Sequence, residues 1–157
     1  MSEGHAKGLF VLASSRQHER TPGRGGPAAM GNGYRLLVVE DDAALCESIA
    51  DILRFTGYEV QTAQDGDSAL RLLHETPHPD AILLDMLLPR KNADRLLVDI
   101  DASFSSRPPI VLMTGMVPSP DAGPHGSEVL LKPFDVEQLL ARIERACAAK
   151  SSTIDFG

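Results

Sequence analysis

Polar residues that could do chemistry stand directly after four apolar runs of the sequence. The runs LLVV, AILL, IVLM and EVLL are followed by Glu40 and Asp41, by Asp85, by Thr114 and by Lys132, respectively. Three carboxylates brought together repel one another unless a cation lies between them, and an all-oxygen set favours a hard ion such as Mg²⁺. A lysine and a hydroxyl on the other side of Asp85 would stabilise a phosphoryl group attached to it. The residue types therefore indicate a carboxylate that is phosphorylated with the help of Mg²⁺.

These residues can meet only if the apolar runs are strands of one sheet. From Tyr34 onward, short apolar runs alternate with amphipathic stretches, a pattern typical of strands that alternate with helices. Runs so apolar that both faces must be covered favour a parallel sheet wrapped by helices. We therefore predict the α/β class, with a doubly wound, five-stranded parallel sheet. With strand order 2-1-3-4-5, the polar residues line up at the carboxyl ends of the strands, where such sheets bind ligands.

The helices of this arrangement have recognisable starts in the sequence. Asp42 is predicted to cap the first helix and not to bind metal, and Asp67 is the predicted N-cap of the second. A third helix is predicted from about residue 92 to 101. Asp135 and Gln138 have the spacing of a capping pair at the start of the last helix.

Charge and composition divide the chain of 157 residues into unequal parts. Residues 1–33 contain seven of the thirteen glycines and carry a charge of +2, which leaves −9 on residues 34–157. We predict a disordered arm at 1–33, one folded domain at 34–150 and a short tail at 151–157. The net charge of −7 argues against direct binding to nucleic acid. The absence of a long apolar run predicts no membrane span and a cytoplasmic protein.

Four motifs together resemble the receiver domain of bacterial two-component response regulators. They are LLVVEDD, AILLDMLLP, VLMTG and VLLKPF, and the resemblance covers about residues 34–148. It implies a flavodoxin-like fold in which Asp85 accepts a phosphoryl group from a histidine kinase or a histidine phosphotransfer protein. It also implies that Asp41, Asp85 and the main-chain carbonyl of Leu87 bind Mg²⁺ directly, while Glu40 helps through water.

The same resemblance assigns roles to two further residues. Thr114 would be the switch hydroxyl, and Lys132 would pair with the phosphate, next to a Lys132–Pro133 bond that is typically cis in this family. No catalytic turnover is expected beyond Mg²⁺-dependent self-phosphorylation and slow loss of the phosphate. The output would pass through a separate protein partner.

The sequence departs from the family pattern between the fourth and fifth strands. Val129 stands where the family usually has an aromatic residue whose rotamer reports phosphorylation. The stretch between Thr114 and Lys132 is short and contains three prolines and three glycines, which disfavour a helix. We therefore predict that the fourth helix of the family is missing or unwound, with an irregular loop at 117–127 whose order responds to phosphorylation.

Two alternatives to a phosphorylated receiver stay open at the level of sequence. The first is a pseudo-receiver, a binding module that does not depend on phosphorylation, and Val129 favours it. The second is a phosphatase with an aspartyl nucleophile, which usually needs a second acid two residues after the nucleophile. Leu87 occupies that position. The sequence leaves the cognate kinase, the downstream target and the oligomeric state open.

Overall fold

Residues 33–88, 93–115 and 128–154 are described in a computed structural model of the chain. They form five strands and four helices, which we label in chain order: β1 (Arg35–Val39), α1 (Ala43–Phe55), β2 (Glu59–Ala63), α2 (Gly66–Glu75), β3 (Ala81–Asp85), α3 (Ala93–Ser103), β4 (Ile110–Thr114), β5 (Glu128–Leu131) and α4 (Val136–Ile154). The strands make one sheet in the order β2-β1-β3-β4-β5, and every pairing is parallel. The predicted doubly wound sheet and its strand order are therefore confirmed.

The core lies on both faces of the sheet, because successive side chains of a strand point to opposite sides. In β3, Ala81 and Leu83 belong to one buried cluster, and Ile82 and Leu84 belong to the other. The first cluster is completed by buried residues of the first and last helices: Leu45, Cys46, Ile49, Ile52 and Leu53 of α1, and Leu139, Ile143, Ala146 and Cys147 of α4. The second is completed by α2 and α3: Ala69, Leu73, Ala93, Leu96, Leu97 and Ile100. Helices thus cover both faces, as the apolar strands require.

The prediction for the start of α2 was wrong by two residues. The Asp65 side chain accepts a hydrogen bond from the backbone N–H of Ser68 at 2.7 Å, so Asp65 is the N-cap. Asp67 lies in the first turn instead, where its negative charge is stabilised by the helix dipole. The helix therefore begins at Gly66, a residue whose low helix propensity disfavours it in a sequence-based assignment.

The caps predicted for the first and last helices are confirmed. The Asp42 side chain accepts from the backbone N–H of Leu45 at 3.1 Å. Asp135 and Gln138 form a reciprocal pair, in which each side chain accepts from the other residue's backbone N–H at 2.8 and 3.0 Å. These bonds satisfy N–H groups that have no partner inside the helix.

Several predicted features fall outside the described residues or at their limits. The loop predicted at 117–127 and nearly all of the arm predicted at 1–33 lie outside the described ranges. Residues 151–154, which the sequence analysis placed in a tail, belong to α4. The Lys132–Pro133 peptide bond is cis.

Candidate functional site

The carboxyl ends of β1, β3, β4 and β5 bring the candidate residues to one edge of the sheet. Glu40 follows β1, Asp85 ends β3, Thr114 ends β4 and Lys132 follows β5. A backbone hydrogen bond fixes the end of β5 next to the end of β4, because the Lys132 N–H donates to the Thr114 carbonyl at 2.7 Å. Four separate stretches of sequence therefore present their polar side chains at the same place.

Three carboxylates form a cluster at this edge. Glu40, Asp41 and Asp85 each offer an oxygen, and these oxygens lie within 4.8 Å of one another. Glu40 and Asp85 are fully buried, whereas Asp41 is exposed. Within the described ranges this is the one group of three or more His, Cys, Asp or Glu side chains that could share a metal ion.

The Lys132 ammonium enters the same cluster from the β5 side. Its Nζ lies 3.2 Å from Asp85 Oδ1 and 3.6 Å from Glu40 Oε1. Only 17% of the Lys132 side chain is exposed, so water screens both contacts only weakly. The pairing with Asp85 agrees with the order of residues along the edge, but sequence reasoning missed the pairing with Glu40. The only signal of this second contact in the sequence is the length of the Glu40 side chain, which lets its carboxylate extend from the end of β1 toward the neighbouring strands.

The Asp85 carboxylate is oriented by two donors on one oxygen. Besides Lys132, the backbone N–H of Leu87 donates to Asp85 Oδ1 at 3.1 Å. The Leu87 side chain itself is 69% exposed next to the site. Thr114 is half-buried at the end of β4, the strand that pairs with β3. The structure thus gathers Glu40, Asp41, Asp85 and Lys132 into one cluster, with Leu87 and Thr114 beside it.

Crowding of the acids changes the protonation of Glu40. Burial, together with the hydrogen bond and the negative charge of Asp85, raises the pKa of Glu40 from 4.5 to about 7, against smaller opposing effects of Lys132 and of the backbone N–H of Asp42. That N–H donates to Glu40 Oε2 at 3.1 Å. The pKa is raised chiefly because burial disfavours the charged form of the carboxyl group, and the nearby Asp85 adds to this effect.

The donor set fits a hard divalent cation. All three candidate side chains offer carboxylate oxygens, which Mg²⁺ prefers, and the exposed Asp41 leaves room for the water that Mg²⁺ usually retains. The residues present are therefore suited to Mg²⁺, as the sequence analysis expected.

Comparison with known proteins agrees with this arrangement. A family model described as the response regulator receiver domain matches residues 36–144. Response regulator MprA of Mycolicibacterium vanbaalenii is 39% identical over 114 residues, which cover 69% of this chain and 48% of MprA. MprA of Mycobacterium ulcerans is 37% identical over a stretch of the same length. The chain thus spans about half the length of the curated relatives it matches.

Solved structures share the fold. The chemotaxis protein CheY4 of Vibrio cholerae superimposes with a TM-score of 0.64 and 26% identity, covering 73% of this chain and 98% of CheY4. A putative response regulator from Chloroflexus aurantiacus gives a TM-score of 0.63 and 29% identity, with 74% and 98% covered. Among the described helices, none combines the length and apolarity that crossing a membrane requires. The sheet order, the acidic cluster with its lysine and the match over residues 36–144 show that the chain belongs to the response regulator receiver domain family.

Proposed function

We propose that this receiver is phosphorylated on Asp85 by a histidine kinase or a histidine phosphotransfer protein, and that it signals through a separate protein partner. The observation that carries the proposal is the position of Asp85. Its buried carboxylate lies within 4.8 Å of the acids that follow β1 and 3.2 Å from the ammonium of Lys132. A carboxylate held in this way has both a group of acids that could bind a cation and a positive charge beside it.

The chemistry is a transfer between two nucleophiles. A carboxylate oxygen of Asp85 attacks the phosphorus of a phosphohistidine, the P–N bond breaks, and the imidazole leaves with the bonding electrons and takes up a proton. Lys132 stabilises the negative charge on the phosphoryl oxygens, and the Leu87 N–H keeps the carboxylate oriented. Thr114, at the end of β4, would donate its hydroxyl to the acyl phosphate once it has formed.

Glu40, Asp41, Asp85 and the carbonyl of Leu87 are the proposed Mg²⁺ ligands, with Glu40 acting through water. When bound, Mg²⁺ would neutralise charge on the carboxylates and on the incoming phosphoryl group. The proximity of their carboxylate oxygens supports the three acids of this set directly. The role of Leu87 rests on its place two residues after Asp85 and on its backbone contact with that residue.

Intact mass spectrometry tests the proposal. The protein is incubated with acetyl phosphate and Mg²⁺, and we expect the mass of one added phosphoryl group. Asp85→Asn keeps the shape of the side chain and should abolish the addition, as should a chelator. Asp51→Asn, a change at an exposed acid of α1, should leave it intact. Unmodified wild-type protein would contradict the proposal.

A pseudo-receiver is the second candidate, and one observation favours it. Val129 lies half-buried on β5, at the position where the family usually has an aromatic switch residue. Binding of beryllofluoride with Mg²⁺, followed by NMR of backbone amides, separates the two candidates. A phosphorylatable receiver should show shifts that spread from Asp85 to β4 and β5, whereas a pseudo-receiver should show none.

A further inference from the structure

The outer edge of the sheet at β2 is a surface that the proposed function does not use. Among the described strands, β2 pairs with β1 alone. The Glu59 N–H donates to the Tyr34 carbonyl at 2.9 Å, so Glu59 and Gln61 direct their backbone groups toward β1. Because these groups alternate along a strand, those of Val60 and Thr62 point outward. An outward row of N–H and C=O groups is a template for pairing with another strand.

Arg54, in the last turn of α1, reaches over this edge. Its Nη2 donates to the Val60 carbonyl at 3.2 Å. Its Nη1 lies 3.4 Å from Asp51 Oδ1 and 3.6 Å from Glu47 Oε1, two acids on the same face of α1. The acids therefore hold the guanidinium so that its other nitrogen faces the strand.

We propose that Arg54 shields the outer edge of β2 from pairing with a second copy of the chain. The Val60 carbonyl belongs to the second of the five residues of β2, and an incoming strand would have to displace the guanidinium from it. Identical chains that paired through β2 would be related by a two-fold axis, which brings the same surface of both copies together. That symmetry would bring the Arg54 guanidinium groups of both copies to the same interface, where their positive charges repel each other.

Arg54 and Asp85 lie at opposite ends of the strands. Asp85 is at the carboxyl ends of the strands. Arg54 is at the carboxyl end of a crossover helix, which returns the chain to the amino ends of the strands. Substitutions at Arg54 should therefore change association without changing the rate at which Asp85 is phosphorylated. This separation keeps the test independent of the proposed function.

Sedimentation velocity over a range of protein concentrations tests the proposal on the unphosphorylated chain. Arg54→Ala should raise the apparent association constant at least tenfold above that of the wild type. Arg71→Ala is the matched control, because Arg71 is an exposed arginine on α2 whose contact is with Ser68 of its own helix. The control removes the same charge and should leave association unchanged.

Two second-site changes show whether the β2 edge is responsible for the association of Arg54→Ala. Val60→Pro removes an N–H that points outward, so the ladder to β1 keeps its hydrogen bonds, although some packing of the Val60 side chain on the core is lost. Gln61→Lys places a charge on the exposed side of the strand. Either change, combined with Arg54→Ala, should return association to the wild-type level. The proposal is overturned if Arg54→Ala associates no more than the wild type. It is also overturned if both double variants still associate, because the association would then come from a loss of stability and not from the β2 edge.

Discussion

Lys132 Nζ lies 3.2 Å from Asp85 Oδ1, which pairs the lysine with a fully buried carboxylate. The same ammonium lies 3.6 Å from Glu40 Oε1, so one positive charge faces two buried acids. The exposed Asp41 adds a third carboxylate at the rim of the cluster. The cluster therefore carries an excess of negative charge that a bound cation would relieve.

Magnesium binding should stabilise the fold through Asp41. At a Mg²⁺ concentration 100 times the Kd, a ligand that binds only the folded state adds about 2.7 kcal/mol to the free energy of unfolding. Asp41→Asn removes a carboxylate from the cluster, and we expect at least about 1.4 kcal/mol of that gain to disappear at the same Mg²⁺ concentration, equivalent to tenfold weaker binding. Urea unfolding with and without Mg²⁺ measures both quantities.

Asp42→Asn is the neighbouring control for this experiment. Asp42 caps α1, and asparagine is an equally good N-cap. The control should therefore keep both the helix and the full stabilisation by Mg²⁺. Equal losses in the two variants would contradict the assignment of Asp41 as a ligand.

Stability of the metal-free protein should depend on pH through Glu40. Burial and the neighbouring Asp85 raise the pKa of Glu40 from 4.5 to about 7. A carboxyl with a raised folded-state pKa contributes stability that is present below about pH 4.5 and is lost as the pH rises through about 7. Glu40→Gln mimics the neutral carboxyl at every pH. With a chelator present, the variant should be about 1 to 3 kcal/mol more stable than the wild type at pH 8.

The sign of this effect is checked by repeating the urea unfolding at pH 5. There the wild-type Glu40 is largely neutral in the folded state, so most of the difference between the two proteins should vanish. Glu59→Gln, at an exposed glutamate of β2, should show no such trend. A stability difference that stays constant or grows toward pH 5 would show that Glu40 is not the titrating group.

Loss of the Lys132 charge should slow phosphorylation of Asp85. Lys132→Met keeps most of the length of the side chain but removes the ammonium that faces Asp85 Oδ1. Loss of one aligned donor in a buried site reduces rates by about a hundredfold to a thousandfold. The rate of mass increase with acetyl phosphate at saturating Mg²⁺ measures the effect. Arg71→Met should react at the wild-type rate, and an unchanged rate in Lys132→Met would remove the lysine from the proposed chemistry.

The phosphorylated protein should lose its phosphate slowly because Leu87 stands beside Asp85. The Leu87 side chain is exposed and apolar at a position where a polar group could orient the attacking water. Leu87→Asn should therefore speed the loss of phosphate, followed as the return of the unmodified mass. Leu131→Asn changes an exposed leucine on β5 in the same way and should have no effect. Equal or slower loss in Leu87→Asn would contradict this reading.

The sequence indicated the positions of β1, β3 and β4 well because these strands are apolar on both faces. The run AILL of β3 supplies both core clusters, and such a run has few alternatives to a central parallel strand. The start of α2 was less certain, because Asp65 and Asp67 are both good capping residues and only the backbone decides between them. The loop predicted at 117–127 stays a prediction.

The candidate site was predictable in its members but not in its contacts. Asp85 and Lys132 were both identified from their places after apolar strands, and the strand order brings them together. The contact between Lys132 and Glu40 depends on how far two long side chains reach across intervening strands. No spacing in the sequence encodes that reach. For the same reason, the contact of Arg54 with β2 could be seen only in the structure.

The shared core of α1 and α4 has a consequence for how the chain folds during synthesis. Leu45 and Ile49 of α1 are buried in the same cluster as Leu139 and Ile143 of α4, although some ninety residues separate the two helices along the chain. Long-range contacts of this kind form slowly, and a chain emerging from the ribosome exposes the unmatched surface meanwhile. Among the described helices, α1 is translated first and must therefore wait for α4 before its side of the sheet is closed.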